Sequence, residues 1–364
     1  MTSHKLHKVI LKDKKLLNKG STKETYQIIL DEKNINLSFK PGDSVAIIPK
    51  NDPSLVDLCI KKMDSFGELK IFHQRTKNFY TLKNFLTNYA NISKFPSSLL
   101  NLFLTDNSPL KNKDNLHLYL KNHELWDMLE EFFPQKPILP QTICSYLLPL
   151  LPRLYSISSS PLFYKDEIHL TITLVSYVTS NIKRYGVATN YLCNIVKKGE
   201  PIQIYIQPNP YFLLPTSSNA DIIMISAGTG ISPFLSFIQH RYVKKEKGKN
   251  WLFFGERNRK YDFYYEKFLL SLEKENFLKL DLAFSRDQKE KIYVQDKILE
   301  KKKEIFNWLE KKCYVYICGN KDMAKEVDYV FKELIQKEGK LSSEQASSYF
   351  SSLISNKRYL KDVY

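Results

Sequence analysis

A chain of 364 residues with 43% hydrophobic content, 22 Phe and 23 Tyr is too long for one typical core and apolar enough for two or three. No apolar run reaches the roughly 20 residues of a bilayer span, and Met1–Lys8 carries no apolar signal core, so a membrane span is excluded and a cytoplasmic protein is expected. The formal charge of +16 lies in scattered runs such as Lys244-Lys-Glu-Lys247 and Lys301-Lys-Lys303 without interleaved aromatics; this argues against a nucleic-acid platform and leaves a Lys-rich solvated surface, or a face for an acidic partner.

In chain order, residues 6–12, 25–30 and 44–49 read as strands, with a turn at Pro41-Gly-Asp43. Residues 54–144 change character, with helical patterns at 55–63, 81–88, 123–133 and 142–151 and a polar loop at 106–115. Strand pattern returns at 153–158, 167–177 and 201–206. Strands flanking a helical stretch imply a β-barrel with a helical insertion. After a linker at 214–219 the rhythm becomes βαβα. Strands are expected at 221–225, 251–254, 279–284 and 314–318, and helices at 234–245, 264–276, 293–302, 322–338 and 342–355. That alternation predicts a parallel, doubly wound α/β sheet.

The chain has only 11 Gly, about half the usual share. Five of them, Gly186, Gly228, Gly230, Gly255 and Gly319, fall in segments with chemical promise. Ser226-Ala-Gly-Thr-Gly-Ile-Ser-Pro233 leaves a buried strand and opens a helix, so the amides of Gly228, Thr229 and Gly230 and the helix dipole can hold a pyrophosphate. A plain tight turn reads the same residues. No GKS/T follows, so this is not a P-loop. Ser285, Arg286, Lys291, Tyr293 and Gln295 follow the end of the third strand of this rhythm, where open α/β sheets bind ligands. Two cations with a Ser, a Tyr and a Gln suit a ribose 2′-phosphate and its adenine, selecting NADPH over NADH; an ordinary charged loop is the alternative. Arg153-Leu154-Tyr155-Ser156 offers a cation, a flat ring and a hydroxyl, and Gly186-Val187-Ala188-Thr189 resembles another helix start with amides to offer. Cys318 ends a strand, either as a small core residue or beside a nicotinamide. The five Cys form no CxxC pair and the seven His (4, 7, 73, 117, 123, 169, 240) are not at ligand spacing, so no disulfide framework and no metal site is expected. There is neither GxSxG nor HExxH.

These segments in this order resemble the ferredoxin–NADP reductase superfamily, and the helical insertion before Arg153 resembles its diflavin reductase branch, the sulfite reductase flavoproteins above all. The likeness runs through Phe39-Lys-Pro-Gly-Asp43, Asn51-Asp-Pro53, Pro152–Ser159, Gly248–Gly255, Ser285–Lys297 and Arg358–Tyr364. The resemblance implies a Greek-key antiparallel FAD-binding β-barrel (residues 1–50 and 145–215), a helical connecting insertion (51–144) and an NADP-binding α/β domain (216–364). It implies that Arg153 and Gly186, Val187, Ala188 and Thr189 bind the FAD pyrophosphate. Tyr155 would stack on the isoalloxazine beside Leu154, with Ser156 near N5. Thr171, Thr173 and Tyr177 would line the FAD site and Tyr364 would cover the flavin. Gly228, Thr229, Gly230, Arg257, Ser285, Arg286, Lys291, Tyr293, Gln295 and Glu326 would bind NADPH, and Ser156, Cys318 and Asp362 would flank the hydride path. The sequence starts almost at the barrel, so an N-terminal FMN flavodoxin-like domain is expected to be missing and a separate acceptor to be needed: a flavodoxin, a ferredoxin or a siroheme/iron–sulfur hemoprotein subunit. The activity implied is NADPH-dependent reduction of a protein acceptor through FAD. Its rivals are a ferredoxin or flavodoxin reductase unrelated to sulfite and a non-catalytic flavin-binding subunit.

Overall fold

The computed structural model describes residues 5–33, 35, 37–179 and 181–364; His4, one of the histidines weighed above, lies outside the described residues. The first strands are β1 (His7–Leu16), β2 (Thr25–Asp31), β3 (Ser44–Ile48), β4 (Lys70–His73), β5 (Asn78–Thr81), β6 (Arg153–Ser156), β7 (Glu167–Thr173), β8 (Ser176–Thr179), β9 (Ile182–Tyr185) and β10 (Pro201–Gln207). The remaining strands are β11 (Ile222–Ala227), β12 (Asn250–Glu256), β13 (Leu278–Phe284), β14 (Tyr314–Gly319) and β15 (Tyr359–Val363).

The chain packs as two compact units: Met1–Ala46 with Leu154–Thr173 and Lys198–Tyr364, and Ile47–Arg153 with Leu174–Lys197. The first contains nearly all of a six-stranded sheet of order β6-β3-β10-β1-β2-β7, whose pairings of β1 with β10 and β2, and of β2 with β7, are antiparallel. In β1, Val9 and Leu11 are buried while Lys8, Ile10 and Lys12 are exposed, the two-residue period of a sheet with one wet face.

The same unit holds a parallel five-stranded sheet of order β13-β12-β11-β14-β15. Successive side chains of β11 enter opposite layers. Ile223 and Ile225 join a core with Phe253, Ile317 and Phe331, while Ile222 and Met224 join another with Phe234, Leu252 and Tyr316. Both faces are therefore covered, which is why these strands read as continuous apolar runs. The chain steps outward from β11 to β12 and β13, then returns to β14 on the other side of β11, so the strand order reverses between β11 and β14. In open α/β sheets that reversal opens a crevice at the strands' C-terminal ends.

The second unit is mostly helical, around Val56, Ile60, Leu86, Leu100, Leu125 and Met128. Asp52 starts its helix Pro53–Lys62 by accepting the Ser54 N–H at 2.9 Å, with Pro53 at the first turn, where its missing N–H costs nothing.

Several boundaries differ from the sequence reading. The strand expected over 167–177 is broken into β7 and β8, and the helix expected over 142–151 spans only Pro140–Tyr146. The helix expected over 293–302 is two, Val294–Glu300 and Lys302–Glu310, broken at Lys301. The loop expected over 106–115 contains a short 3-10 turn, Pro109–Lys111, and the start of helix Lys113–Asn122. The hairpin β4–β5 and strand β15 were not anticipated.

Candidate active site

The reversal between β11 and β14 is where the Gly-rich segment sits. Gly228 has φ +60, a conformation glycine adopts without a Cβ penalty. A Cβ on Gly230 would stand 2.1 Å from the Cys318 carbonyl oxygen, so the turn packs directly on the end of β14 and no larger residue fits. The chain then enters helix Ser232–Val243 with Pro233 in its first turn. A buried strand, a glycine cradle and a helix N-terminus thus converge on one spot, which suits a ligand's phosphates.

A cleft of about 470 Å³ opens over this turn. Its walls include Gly228, Thr229, Arg257, Ser285, Tyr293, Gln295 and Glu326, seven of the ten residues expected to meet a dinucleotide phosphate or its ribose. Gly230 lies beneath the wall, buried, and Arg286 and Lys291 are exposed outside it. Among the described residues the Arg286 guanidinium and the Lys291 ammonium make no hydrogen bond or ion pair, whereas the Arg286 backbone N–H is fixed on the Arg257 carbonyl at 2.8 Å. Ser285 is held similarly, its N–H donating to the Glu256 carbonyl at 2.9 Å. The Arg257 guanidinium donates to Thr22 Oγ1 at 2.8 Å.

The cleft wall also contains residues the sequence did not suggest: Lys23, Glu256, Asn320, Asp322 and Met323. Lys23 forms an ion pair with Glu256, whose Oε1 also accepts the Tyr264 hydroxyl at 3.1 Å. Tyr264 continues to Thr25 (3.0 Å), and Thr25 to Thr173 (2.9 Å), so one polar chain runs from β7 through β2 to the end of β12. Residues 23 and 256 are too far apart in sequence for any local signal. Asn320 did carry one: it stands where a helix cap is expected, and its side chain accepts the Met323 N–H at 2.7 Å.

Three residues expected to flank a hydride path come together. Cys318 and Asp362 are register partners on β14 and β15, and Ser156 Oγ donates to Asp362 Oδ2 at 3.1 Å. Cys318 is 1% exposed; burial, and then the Asp362 charge, pushes its thiol well above its usual range, so it is not a thiolate nucleophile. Burial also raises the Asp362 carboxyl above its ordinary value, an effect the Ser156 bond partly offsets. Next along, the Tyr364 N–H donates to the Gly319 carbonyl at 3.1 Å and its hydroxyl lies 2.7 Å from Thr229 Oγ1. Tyr364 as a residue is 63% exposed.

The residues expected at a flavin are placed as follows. Leu154 is exposed and Tyr155 half-buried on β6. Thr171 is buried with its hydroxyl on Tyr265 at 2.7 Å, so it does not present that group to a ligand. In the second unit, Arg153 is exposed and its guanidinium has no hydrogen-bond or ion-pair partner among the described residues. Gly186 donates its own N–H to Val175 at 2.9 Å, so that amide is not on offer, contrary to the sequence reading; Val187, Ala188 and Thr189 begin the short helix Val187–Asn190. Tyr177 donates its hydroxyl to Glu124 Oε1 at 2.5 Å, and Glu124 and Asp127 both pair with the buried Arg184. Among the described residues, no group of three or more His, Cys, Asp or Glu can hold a metal ion, and no helix is long and apolar enough to cross a membrane.

A glycine cradle at a parallel-sheet reversal suits a nucleotide's phosphates, and comparison with known proteins places the chain among nucleotide-dependent oxidoreductases. The FAD binding domain family matches residues 1–191, and the chain belongs to that family; the oxidoreductase NAD-binding domain matches residues 224–328. FAD and a nicotinamide dinucleotide are accordingly its cofactors. The chain is similar to the sulfite reductase [NADPH] flavoprotein alpha-component of Bacillus subtilis (strain 168), 36% identical over 365 residues, which are 98% of this chain and 60% of the relative. It is similar also to the alpha-components of Buchnera aphidicola subsp. Acyrthosiphon pisum (37% over 373 residues; 98% and 60%) and Vibrio vulnificus (34% over 370 residues; 98% and 58%). The chain thus spans about 60% of the length of the curated relatives it matches.

Proposed function

We propose that this chain is an NADPH-dependent flavoprotein reductase that passes electrons through FAD to a protein acceptor. The observation that carries this is the convergence, at the C-terminal ends of β11 and β14, of the Gly228–Gly230 cradle with the Ser156–Asp362–Cys318 group. The cradle fits a pyrophosphate because Gly228 adopts a positive φ and Gly230 leaves no room for a side chain. The redox chemistry would be supplied by FAD held by the residues named below, as two-electron uptake from a nicotinamide and one-electron release to the acceptor.

The chain's own residues bind and orient. Gly228, Thr229 and Gly230 take the NADPH pyrophosphate; Ser285, Arg286 and Lys291 take the 2′-phosphate, Tyr293 stacks on the adenine and Gln295 bonds to it, with Arg257 and Glu326 at the cleft wall. The unengaged guanidinium of Arg286 supports that assignment, since it costs no existing partner. Arg153, with the helix start at Val187–Thr189 and Gly186 before it, takes the FAD pyrophosphate, and again the unpaired guanidinium supports the role. Tyr155 lies on the flavin ring beside Leu154, Tyr177 and Thr173 line the rest, Thr171 serves as wall, and Tyr364 covers the ring. Ser156 and Asp362 share a proton-bearing hydrogen bond beside Cys318 and orient the transfer without covalent chemistry.

The first sheet folds as a Greek-key antiparallel barrel in this reading, with domains at 1–50 and 145–215, 51–144, and 216–364. The name of the relatives supports sulfite reduction as the wider reaction, with a siroheme/iron–sulfur hemoprotein subunit, a ferredoxin or a flavodoxin as the competing acceptors. Five buried cysteines, none of them in a disulfide among the described residues, suit a reducing, cytoplasmic compartment. The test is direct: purified protein given FAD should hold it through gel filtration and reduce ferricyanide with NADPH in clear preference to NADH. A preparation that retains no flavin, or that uses both nucleotides equally, defeats the proposal.

A further inference from the structure

Arg184, Glu124 and Asp127 form a cluster of charge inside the second unit, and both Arg184 and Glu124 are buried. Helix Leu125–Phe132 opens with Glu124 at its cap and Asp127 three residues on, and Asp127 Oδ2 accepts the Glu124 N–H at 2.7 Å. The same carboxylate takes a two-pronged bond from Arg184 of β9, Nη1 to Oδ2 at 2.6 Å and Nη2 to Oδ1 at 3.0 Å. Arg184 Nη1 also stands 3.0 Å from Glu124 Oε2, and the guanidinium lies over the Trp126 ring, 5.5 Å from its centroid. Tyr177 faces Arg184 in register on β8 and donates its hydroxyl to the other Glu124 oxygen. One rung of the hairpin is thus fixed to one helix start.

That hairpin has little else to hold it. Among the described residues β8 and β9 pair only with each other, and a lone two-stranded hairpin is marginal in water. Of their described residues only Arg184 is buried. The base of the hairpin runs straight into the segment read above as the FAD pyrophosphate loop. Gly186 donates its N–H to the Val175 carbonyl, and Thr189 Oγ1 accepts the Val175 N–H at 3.2 Å. A cavity of about 390 Å³ is lined by Glu124, Asp127 and Arg184 together with Val187 and Asn190, so the charge cluster and the helix start border one space.

We propose that Arg184 is a positioning residue for FAD: clamped by Asp127 and Glu124, it fixes the β8–β9 hairpin to the helical insertion and so sets the path of Gly186–Thr189. This rests on the reading of Gly186–Thr189 as the pyrophosphate loop. A loop already in place loses less freedom when a ligand arrives, and that saving appears as affinity. The clamp requires a guanidinium, whose planar fork meets both Asp127 oxygens at once, whereas an ammonium is a point charge.

Fluorescence-quenching titrations of the flavin-stripped full chain compare FAD with FMN, which ends at its first phosphate. Arg184→Lys keeps the charge and gives up the fork. It should weaken FAD roughly 10- to 100-fold, the worth of a hydrogen bond between charged groups, and FMN much less. Asp127→Asn, which retains an oxygen for the Glu124 N–H, should do the same and decides the matter alone if Arg184→Lys does not fold. The two changes together should cost FAD no more than either one, because they break the same bond. At saturating FAD, Arg184→Lys should keep the unaltered kcat for ferricyanide and KM for NADPH. Unchanged FAD binding in both variants, with a lowered melting temperature, makes the cluster a stabilising bridge only and overturns the proposal; an equal loss for FAD and FMN overturns it too. Arg153→Ala tests the reading beneath: if FAD binds that variant as tightly as the unaltered chain, the pyrophosphate assignment itself fails, a distinct result.

Discussion

On the proposed reading, Asp362 ties the transfer step and stability to a single side chain. Its half-buried carboxyl has a folded-state value above that of the unfolded chain, chiefly through burial. A raised carboxyl contributes stability that is present at low pH, where both states hold the proton, and is lost as pH rises through the folded value. Asp362→Asn should therefore melt higher than the unaltered protein at about pH 7–8, with the difference closing toward roughly pH 4, the ordinary carboxylate range. The same variant keeps an oxygen for Ser156 but loses the charge beside Cys318, so its NADPH-driven ferricyanide reduction should drop about tenfold or more, in keeping with the scale of positioned acid–base groups. Scanning calorimetry across pH with the rate assay checks both. Arg286→Ala should raise KM for NADPH about tenfold or more, the worth of a charge-assisted pair, and leave KM for NADH alone; equal effects on the two nucleotides would move the 2′-phosphate elsewhere.

Elements that announce themselves locally were legible; those assembled from afar were not. Ser226–Pro233 declared its strand, turn and helix because glycine spacing and a continuous apolar run are properties of the segment itself. The start of helix Ser343–Ser355 was legible for the same reason, Ser342 and Gln345 forming a reciprocal capping box. β15 was not, since Tyr359–Val363 is short and polar at its centre and becomes a strand only by parallel pairing with β14. The candidate hydride-path residues Cys318 and Asp362 could be named from resemblance, but their side-by-side register comes from that unforeseen pairing. The Lys23–Glu256 pair needed both sheets to be in place. The glycine turn offers the sharpest element-scale test. Gly230→Ala puts a methyl against the Cys318 carbonyl, which should cost about 1–3 kcal/mol in urea unfolding and remove NADP⁺ binding. Arg241 tests the opposite end of the same sheet. Wholly buried, it binds Asn250, the Ala220 and Gly248 carbonyls and Glu246, so Arg241→Ala should cost about 3–5 kcal/mol by stranding a buried carboxylate.

At the scale of the whole molecule, the +16 charge matters for encounter more than for fold. If the physiological acceptor is an acidic carrier protein, its reduction rate should fall steeply between low and physiological salt, whereas reduction of an uncharged quinone should not. Matching salt profiles for the two acceptors would remove electrostatic steering from the account. The division into two interrupted units has a consequence for the ribosome. β1 emerges early, yet its partner β10, in which Ile204 faces His7, is made only after the whole second unit has been translated. Closing so long a loop is entropically costly and slow, while helices joined by short loops settle quickly. The helical unit should thus be protease-resistant on nascent chains arrested once Lys197 has left the exit tunnel, and β1 should stay open to cleavage until β10 has cleared it as well. For this interval each new molecule carries an unpaired strand edge, and the charged Lys8, Lys12, Lys14 and Lys15 along β1 are well placed to keep neighbouring nascent chains apart.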